Sequence, residues 1–191
     1  DKIILMIPSV SKSGKNKQWS PDNFRKLAEI LENKGYRICI IGQDSDKETT
    51  KKISNSCKQV IDLTGKSPPQ IIYSVAKISN LIISNDTGPG HIAALSHSPI
   101  LFLGKDNVVS KSNLSEYKNA YKILTDSMDS LSIESVIDFL NKKKLKIVDI
   151  DRIFVHLGPG KFTSLRISLS VAKAISLANS AVLIGFKSQD L

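Results

Sequence analysis

Six short apolar runs follow one another in the first two thirds of the chain, and each is bounded by turn residues. They are KIILMIP, YRICIIG, QVIDL, NLIIS, PILFLG and AYKILT. Continuous runs of Ile, Leu and Val of this length are typical of strands in a parallel sheet, which is buried on both faces. The pattern therefore predicts a parallel sheet built from these runs.

Helical patterns fill the intervals between the runs. Ser20 and Pro21 form an N-cap and a first-turn proline, apolar residues then repeat at helical spacing, and Gly35 can end this helix. Further helices are predicted over residues 46–55 and 69–78, from near Gly88, and over SLSIESVIDFLN. The alternation predicts an α/β fold over residues 1–141, a Rossmann-like parallel sheet with helices on both faces and ligands at the strands' carboxyl ends.

The charge distribution changes at the lysine-rich segment NKKKLK. Residues 1–141 carry 18 basic and 15 acidic residues, a net +3, whereas residues 142–191 carry 9 and 3, a net +6. We interpret residues 142–149 as a basic linker between two domains. The whole chain has a net charge of +9, which favours binding to nucleic acid, to an anionic membrane or to a phosphorylated substrate.

Several classes of protein are excluded by what the sequence lacks. No apolar run approaches the roughly 20 residues that span a bilayer, and no signal peptide is recognisable, so we expect a cytoplasmic protein. Cys39 and Cys57 have neither CxxC nor metal-ligand spacing, which argues against a disulfide framework or a zinc site. We expect Cys39 to be a buried thiol and Cys57 a surface thiol in a polar helix.

The segment NLIISNDTGPGHIA has the pattern of an anion site. A buried strand delivers Asn85, Asp86, Thr87 and Gly88 to its carboxyl end, where a helix begins. Unpaired N–H groups there favour a phosphate, Gly88 and Gly90 allow close approach of the backbone, and Thr87 and His91 can donate hydrogen bonds. A tight turn capped by Asp86 explains the same residue types equally well, and His91 alone would more often be structural.

A second polar loop, PSVSKSGKNKQW, follows the first strand and carries Ser9 and Lys17 together with further serines and lysines. The simplest interpretation of these lysines is that they are solvated surface residues. Because the carboxyl ends of parallel strands lie at one edge of the sheet, the two loops are expected to converge on a shared anionic ligand.

Three segments, PSVSKSGKNKQWSPDNFRKLAEIL, VIDLTGKSPPQIIYSVAKISNLIISNDTGPGHIAA and PILFLG, together resemble the carboxyl-terminal half of glycosyltransferase family 9. This family contains the bacterial lipopolysaccharide heptosyltransferases, and the resemblance runs from residue 3 to about residue 141. It implies the donor-binding domain of a two-domain GT-B fold. It also implies that a nucleotide-diphosphate sugar, typically ADP-heptose, binds as a substrate, without a cofactor or an obligatory metal. The acceptor would be the lipopolysaccharide core at the inner-membrane face, and the protein would lie peripherally there.

The resemblance also implies roles for single residues. Lys17 would pair with the diphosphate, Asp86 would hold the donor sugar, and His91 would support the loop. Thr87 and Gly88 would give backbone N–H groups to phosphate, and Ser9 completes the substrate-binding set. Gly90 replaces the family's usual methionine and Ser9-Val10 its commoner Gly-Ala or Ala-Ser, which leaves the identity of the donor open.

The family's amino-terminal half, with the acceptor site and the expected general-base carboxylate, has no counterpart in this sequence. No catalytic residue is therefore assigned, and whether the chain is itself an enzyme stays open. Transfer requires the acceptor hydroxyl to be held and deprotonated beside the donor carbon, so we expect no glycosyl transfer from this chain alone.

Residues 150–191 restart the pattern as strand, Gly-Pro-Gly loop, helix and strand, a single βαβ unit. Their sequence, with GPGKFTSLR before a small-residue helix, resembles TsaB, a subunit that acts in threonylcarbamoyladenosine modification of transfer RNA. This implies part of an actin-like fold and contact with a TsaD-like partner through the tail helix, without direct nucleic-acid binding. A non-catalytic partner subunit is thus the alternative function.

We interpret the chain as parts of two different proteins that are joined at the lysine-rich segment. We prefer an artificial or mis-assembled junction to a natural fusion as the explanation.

Overall fold

A computed structural model of the chain describes residues 2–106, 117–143, 152–156, 173 and 182–186. The chain divides into two compact units, residues 1–147 and 148–191. The predicted domain limits at residues 141 and 150 remain predictions, because residues 144–151 lie outside the described ones.

Six parallel strands form the sheet of the first unit, and each coincides with a predicted apolar run. The strand order is β3-β2-β1-β4-β5-β6, so the direction of strand addition reverses between β1 and β4. The bounds are β1 (Ile3–Ile7), β2 (Arg37–Ile40), β3 (Val60–Asp62), β4 (Leu81–Asn85), β5 (Ile100–Lys105) and β6 (Ala120–Thr125).

The α-helices of this unit follow the predicted segments closely. Those with bounds among the described residues are α1 (Pro21–Asn33), α2 (Lys47–Ser54), α3 (Pro69–Ile78), α4 (Gly88–Ala94) and α5 (Ile133–Lys142). As predicted, the Ser20 hydroxyl caps α1 by accepting from the Asp22 N–H, and Gly35 adopts a positive φ of 87° beyond its end. Among the described residues, no helix combines the length and the apolar character needed to cross a membrane.

Helices cover both faces of the sheet, which confirms the predicted layers. Side chains alternate along β1, so Ile4 and Met6 enter one core while Leu5 and Ile7 enter the other. The first core is closed by α1, α2 and α5, and the second by α3 and α4. Both faces of the parallel strands are therefore apolar, and polar chemistry is confined to the sheet's edges and strand ends.

The two cysteines lie in different surroundings. Cys39 in β2 is buried, as expected, and desolvation, with a smaller effect of the Asp62 charge, raises the pKa of its thiol to about 12. The expectation for Cys57 was wrong on both points. This residue follows the end of α2 and is partly buried, and that burial raises the pKa of its thiol.

In the second unit, β7 (Arg152–His156) and β8 (Val182–Phe186) form a parallel pair with Arg152 opposite Val182. Adjacent parallel strands require a crossover connection, as in the predicted βαβ unit. The second Gly-Pro-Gly loop, residues 158–160, and the predicted helix, residues 164–179, lie outside the described residues except for Lys173, which is helical. The actin-like assignment remains a prediction.

Candidate functional site at the carboxyl edge of the sheet

The two polar loops singled out in the sequence meet where the strand order reverses. The lysine loop, residues 8–19, follows β1, and the NDTGPG loop, residues 85–90, follows β4. These strands are neighbours in the sheet, with Ile7 opposite Ser84 near their ends. Both loops therefore lie on the same edge of the sheet, at the point where α/β folds commonly bind ligands.

The structure brings Lys17 and Asp86 together, with the Lys17 Nζ 3.8 Å from Asp86 Oδ2. Part of the lysine loop is regular, because residues Lys12–Lys17 form a 3-10 helix. Lys12 and Lys15 are exposed on this helix, whereas the Lys17 side chain is only 31% exposed. Of the three lysines, Lys17 therefore faces the NDTGPG loop.

Asp86 carries a buried carboxylate with a partner at each oxygen. Its side chain is 5% exposed; Oδ2 faces Lys17, and Oδ1 lies 3.0 Å from His91 Nε2. The other ring nitrogen of His91, Nδ1, lies 3.4 Å from the Tyr117 hydroxyl. His91 thus contacts the loop, as the resemblance implied, while Tyr117 was missed because it follows no recognisable motif.

Thr87, not Asp86, caps α4. Thr87 has extended backbone angles (φ −142°, ψ 159°), and its Oγ1 accepts a hydrogen bond from the Gly90 N–H at 3.4 Å. A cap is the residue directly before the first helical one, and Asp86 lies one position earlier with its carboxylate turned to Lys17 and His91. The alternative of an Asp86-capped turn was therefore wrong. Donation from the Thr87 hydroxyl to a phosphate stays a prediction, because a hydroxyl that accepts one hydrogen bond can still donate another.

The two glycines of the NDTGPG loop have different surroundings. A Cβ added at Gly88 would meet no atom within 4 Å, so the chain is open to a ligand there. A Cβ at Gly90 would meet Ser84 Oγ, Phe102 Cε1 at 2.9 Å and the Asn85 carbonyl oxygen at 3.2 Å. Gly90 therefore allows α4 to pack closely on the sheet, and only Gly88 leaves space for ligand approach.

Ser9 follows β1 closely and is 9% exposed. Its hydroxyl is buried and has no hydrogen-bond partner among the described residues. Most buried hydroxyls in native structures are paired, and leaving one unpaired is unfavourable. An unpaired hydroxyl at this edge of the sheet is suited to bonding with a ligand oxygen.

Asn85 is a polar residue that the sequence pattern places at the end of the strand before Asp86 but to which it gives no role. It is fully buried at the end of β4. Its Nδ2 donates to the Pro8 carbonyl at 2.7 Å, and its Oδ1 accepts from the Trp19 N–H at 3.0 Å. The side chain therefore joins β4 to both ends of the lysine loop.

Curated proteins similar to this chain are heptosyltransferases. The chain is 33% identical over 91 residues to lipooligosaccharide heptosyltransferase 2 of Haemophilus ducreyi, covering 45% of this chain and 26% of that protein. It is 30% identical over 91 residues to lipopolysaccharide heptosyltransferase 3 of Escherichia coli, covering 46% and 26%. The chain thus spans about a quarter of the length of these relatives.

Solved structures with a similar fold are also heptosyltransferases. ADP-heptose lipopolysaccharide heptosyltransferase II of E. coli matches with a TM-score of 0.66 at 20% identity, covering 74% of this chain and 46% of that one. E. coli heptosyltransferase WaaC with ADP gives 0.66 at 19%, covering 74% and 44%. A family 9 glycosyl transferase of Veillonella parvula gives 0.53 at 22%, covering 93% and 46%. The Rossmann-like sheet is thus a fold that occurs in GT-B heptosyltransferases.

Two family models match different parts of the chain. The model for tRNA N6-adenosine threonylcarbamoyltransferase, TsaD, matches residues 129–190. This range overlaps residues 150–191, for which we noted a resemblance to TsaB, so the matched family differs in name from the one expected. This TsaD match begins before α5, a helix that packs against the core of the first unit. The model for glycosyltransferase family 9 (heptosyltransferase) matches residues 1–107, more than half of the chain, and the chain therefore belongs to this family.

Proposed function

We propose that this chain is the donor-binding half of a glycosyltransferase that moves a heptose-type sugar from a nucleotide-diphosphate donor to a lipopolysaccharide core acceptor. The observation that carries the proposal is the pairing of Lys17 with Asp86 beside the open backbone at Gly88. A cation and an anion side by side suit a ligand that has both a diphosphate and a hydroxyl-rich sugar. The cytoplasmic location, with the acceptor at the inner-membrane face, is part of this proposal.

Lys17 is suited to the diphosphate. Its Nζ lies 3.8 Å from Asp86 Oδ2, which is beyond hydrogen-bond distance, so the ion pair leaves the ammonium N–H groups free to donate to phosphate oxygens. Charge-assisted hydrogen bonds of this kind are about twice as strong as neutral ones. The Gly88 N–H and the Ser9 hydroxyl would supply neutral donors on the same edge of the sheet.

Asp86 is suited to the sugar. Each carboxylate oxygen has two lone pairs, so Asp86 can accept from sugar hydroxyls while it keeps its contacts with Lys17 and His91. Two solved heptosyltransferase structures of similar fold are described as holding ADP and ADP-2-deoxy-2-fluoro heptose. The ligands of these two proteins support an ADP-sugar as the donor to test first.

Transfer itself needs an acceptor hydroxyl that is held and deprotonated beside the donor carbon. We assign no general base in this chain, and the described site accounts for donor binding only. The proposal therefore limits this chain's own contribution to binding and orienting the donor.

Calorimetric titration of the purified chain with ADP-, UDP- and GDP-sugars tests the proposal. We expect ADP-sugars to bind more tightly than the other two classes. A dissociation constant near 1 mM corresponds to only about −4 kcal/mol of binding free energy. Absence of binding by all three classes at about that concentration would contradict the donor-site proposal.

A second candidate function rests on the family-model match over residues 129–190. This is a non-catalytic partner subunit in threonylcarbamoyladenosine modification of transfer RNA, bound to a TsaD-like protein through the tail. The parallel pairing of β7 with β8 is compatible with it. A pull-down with a TsaD-like protein tests it: capture that is lost when residues 150–191 are deleted supports this function, and no capture contradicts it.

A further inference from the structure

Asn85 forms hydrogen bonds with two backbone groups at opposite ends of the lysine loop. Its Nδ2 donates to the Pro8 carbonyl at 2.7 Å, and its Oδ1 accepts from the Trp19 N–H at 3.0 Å. The residue is fully buried at the end of β4, directly before Asp86. One side chain thus holds the start and the end of the loop that carries Lys17.

Other contacts fix the same two points of the loop. The Pro8 carbonyl also accepts from Gln18 Nε2 at 3.2 Å, and the indole N–H of Trp19 donates to the Leu131 carbonyl at 2.7 Å. Trp19 is completely buried in the core. The Asn85 amide is nevertheless the link between this loop and the strand that leads into Asp86.

The geometry assigns Asn85 the role of a positioning residue. We propose that it holds the lysine loop against β4, keeps Lys17 beside Asp86, and so prepares Lys17 for the diphosphate of the donor. A loop that is already ordered loses less conformational entropy when its ligand binds. The effect on ligand binding rests on the proposed function, whereas the effect on the loop is independent of it.

The Asn85→Asp variant tests the role because its behaviour depends on pH. A protonated aspartic acid can donate to the Pro8 carbonyl and accept from the Trp19 N–H, as asparagine does. An ionised carboxylate has no donor and directs an oxygen at the Pro8 carbonyl oxygen. Burial raises the pKa of a carboxyl group above the ordinary value of about 3.9, so the variant can be compared at about pH 5 and about pH 8.

Two measurements separate the loop from the ligand. Hydrogen exchange of residues 10–18, corrected for its intrinsic pH dependence, reports loop order, as does the fluorescence of Trp19, the single tryptophan. Calorimetry with ADP reports binding. At about pH 8 we expect roughly tenfold faster exchange and roughly tenfold weaker ADP binding than in the wild type. Both should return toward wild-type values at about pH 5.

Asn119→Asp is the matched control. The Asn119 amide donates to the carbonyls of Ala94 at 3.2 Å and Ser98 at 2.6 Å, away from the lysine loop. Its replacement introduces the same charge and removes the same donor, so we expect lower stability without a change in loop exchange or ADP affinity. Every protein compared contains the same titratable groups in the site: Lys17, Asp86 and His91. Comparing each variant with the wild type at the same pH therefore corrects for the titration of these groups.

Each outcome decides the proposal. Loop exchange and Trp19 emission equal to the wild type at both pH values would overturn it, as would an equal loss of ADP affinity in Asn119→Asp. Faster loop exchange with unchanged ADP affinity would remove the positioning role. If the wild type binds neither ADP nor any of the three classes of nucleotide sugar, the proposed function fails, and the exchange data still decide whether Asn85 holds the loop. If Asn85→Asp does not fold, Asn85→Ser replaces it, and normal loop exchange in that variant overturns the proposal.

Discussion

The ammonium group of Lys17, in the lysine loop, lies 3.8 Å from the buried carboxylate of Asp86, in the NDTGPG loop. If this ammonium group binds the diphosphate, Lys17→Ala should weaken ADP binding by about tenfold to a hundredfold, the equivalent of about 1.5–3 kcal/mol. Stability should change little, because the lysine is partly exposed and Asp86 keeps its contact with His91.

Lys15→Ala is the matched control for Lys17→Ala. Lys15 lies on the same 3-10 helix but is exposed to solvent. Both variants lose one positive charge, so calorimetry in the same buffer separates a specific contact from a general field effect. Equal affinities of the two variants for ADP would contradict the role of Lys17.

Asp86→Asn should reduce the advantage of an ADP-sugar over ADP itself. The amide keeps an oxygen that can accept from His91 but loses the charge and part of the capacity to accept from sugar hydroxyls. The ratio of the two dissociation constants, measured by calorimetry, isolates recognition of the sugar from any change in ADP binding. An unchanged ratio would argue that Asp86 does not contact the sugar.

Thr87→Ala is the control for that experiment. Loss of the cap on α4 should lower the free energy of unfolding by about 1 kcal/mol and leave the sugar-dependent ratio unchanged. Denaturant unfolding of both variants measures the stability change.

Ser9→Ala should affect stability and binding in opposite directions. The variant removes a buried hydroxyl that has no partner among the described residues, so the free energy of unfolding should stay the same or rise by up to about 1 kcal/mol. ADP affinity should fall if the hydroxyl bonds to a phosphate oxygen. Unchanged affinity in a variant of equal or greater stability would remove Ser9 from the site.

Glu32 should make stability depend on pH. Its carboxylate accepts from the backbone N–H groups of Gln59 at 2.7 Å and Lys58 at 3.0 Å, and these bonds hold its pKa below the ordinary value. A lowered folded-state pKa gives stability that is present above the unfolded-state pKa of about 4.3 and lost as pH falls through the folded-state value.

Glu32→Gln should therefore be less stable than the wild type at neutral pH, by at most about 1 kcal/mol because the group is partly exposed. The difference should shrink as the pH falls below about 4. Urea unfolding between acid and neutral pH measures it, and Glu48→Gln, in the exposed pair of Glu48 with Lys52, is the control. A difference that is constant with pH would contradict this account.

The cysteines should react at different rates. The thiolate is the nucleophile, so Cys39, with its pKa raised to about 12, should resist iodoacetamide at neutral pH in the folded protein. Cys57 should react slowly, because its burial is partial. Mass spectrometry of native and denatured protein distinguishes the two, and Cys57→Ser should show no native labelling. Rapid labelling of Cys39 in the native state would contradict the burial described here.

The elements of the first unit could be predicted because their signals are local. Ser20, Pro21 and Gly35 mark the ends of α1 within a few residues of the helix itself, and apolar runs of five to seven residues mark the strands. The parallel order of the strands also limits where the polar loops can lie. The convergence of Lys17 and Asp86 at one edge therefore follows from the sequence pattern together with the rules for α/β folds.

The role of each polar residue at that edge depends on contacts between distant parts of the chain. The pattern of apolar and polar residues places Asp86, Thr87, Gly88 and Gly90 after a buried strand, but it does not show that Thr87 caps the helix or that Gly90 lies against Phe102. It also places Asn85 at the end of that strand without assigning it a role, because the bonds of this residue are to Pro8 and Trp19. Periodicity and capping depend on neighbours within a turn of the chain, whereas these roles depend on which backbone groups the folded sheet brings within hydrogen-bond distance.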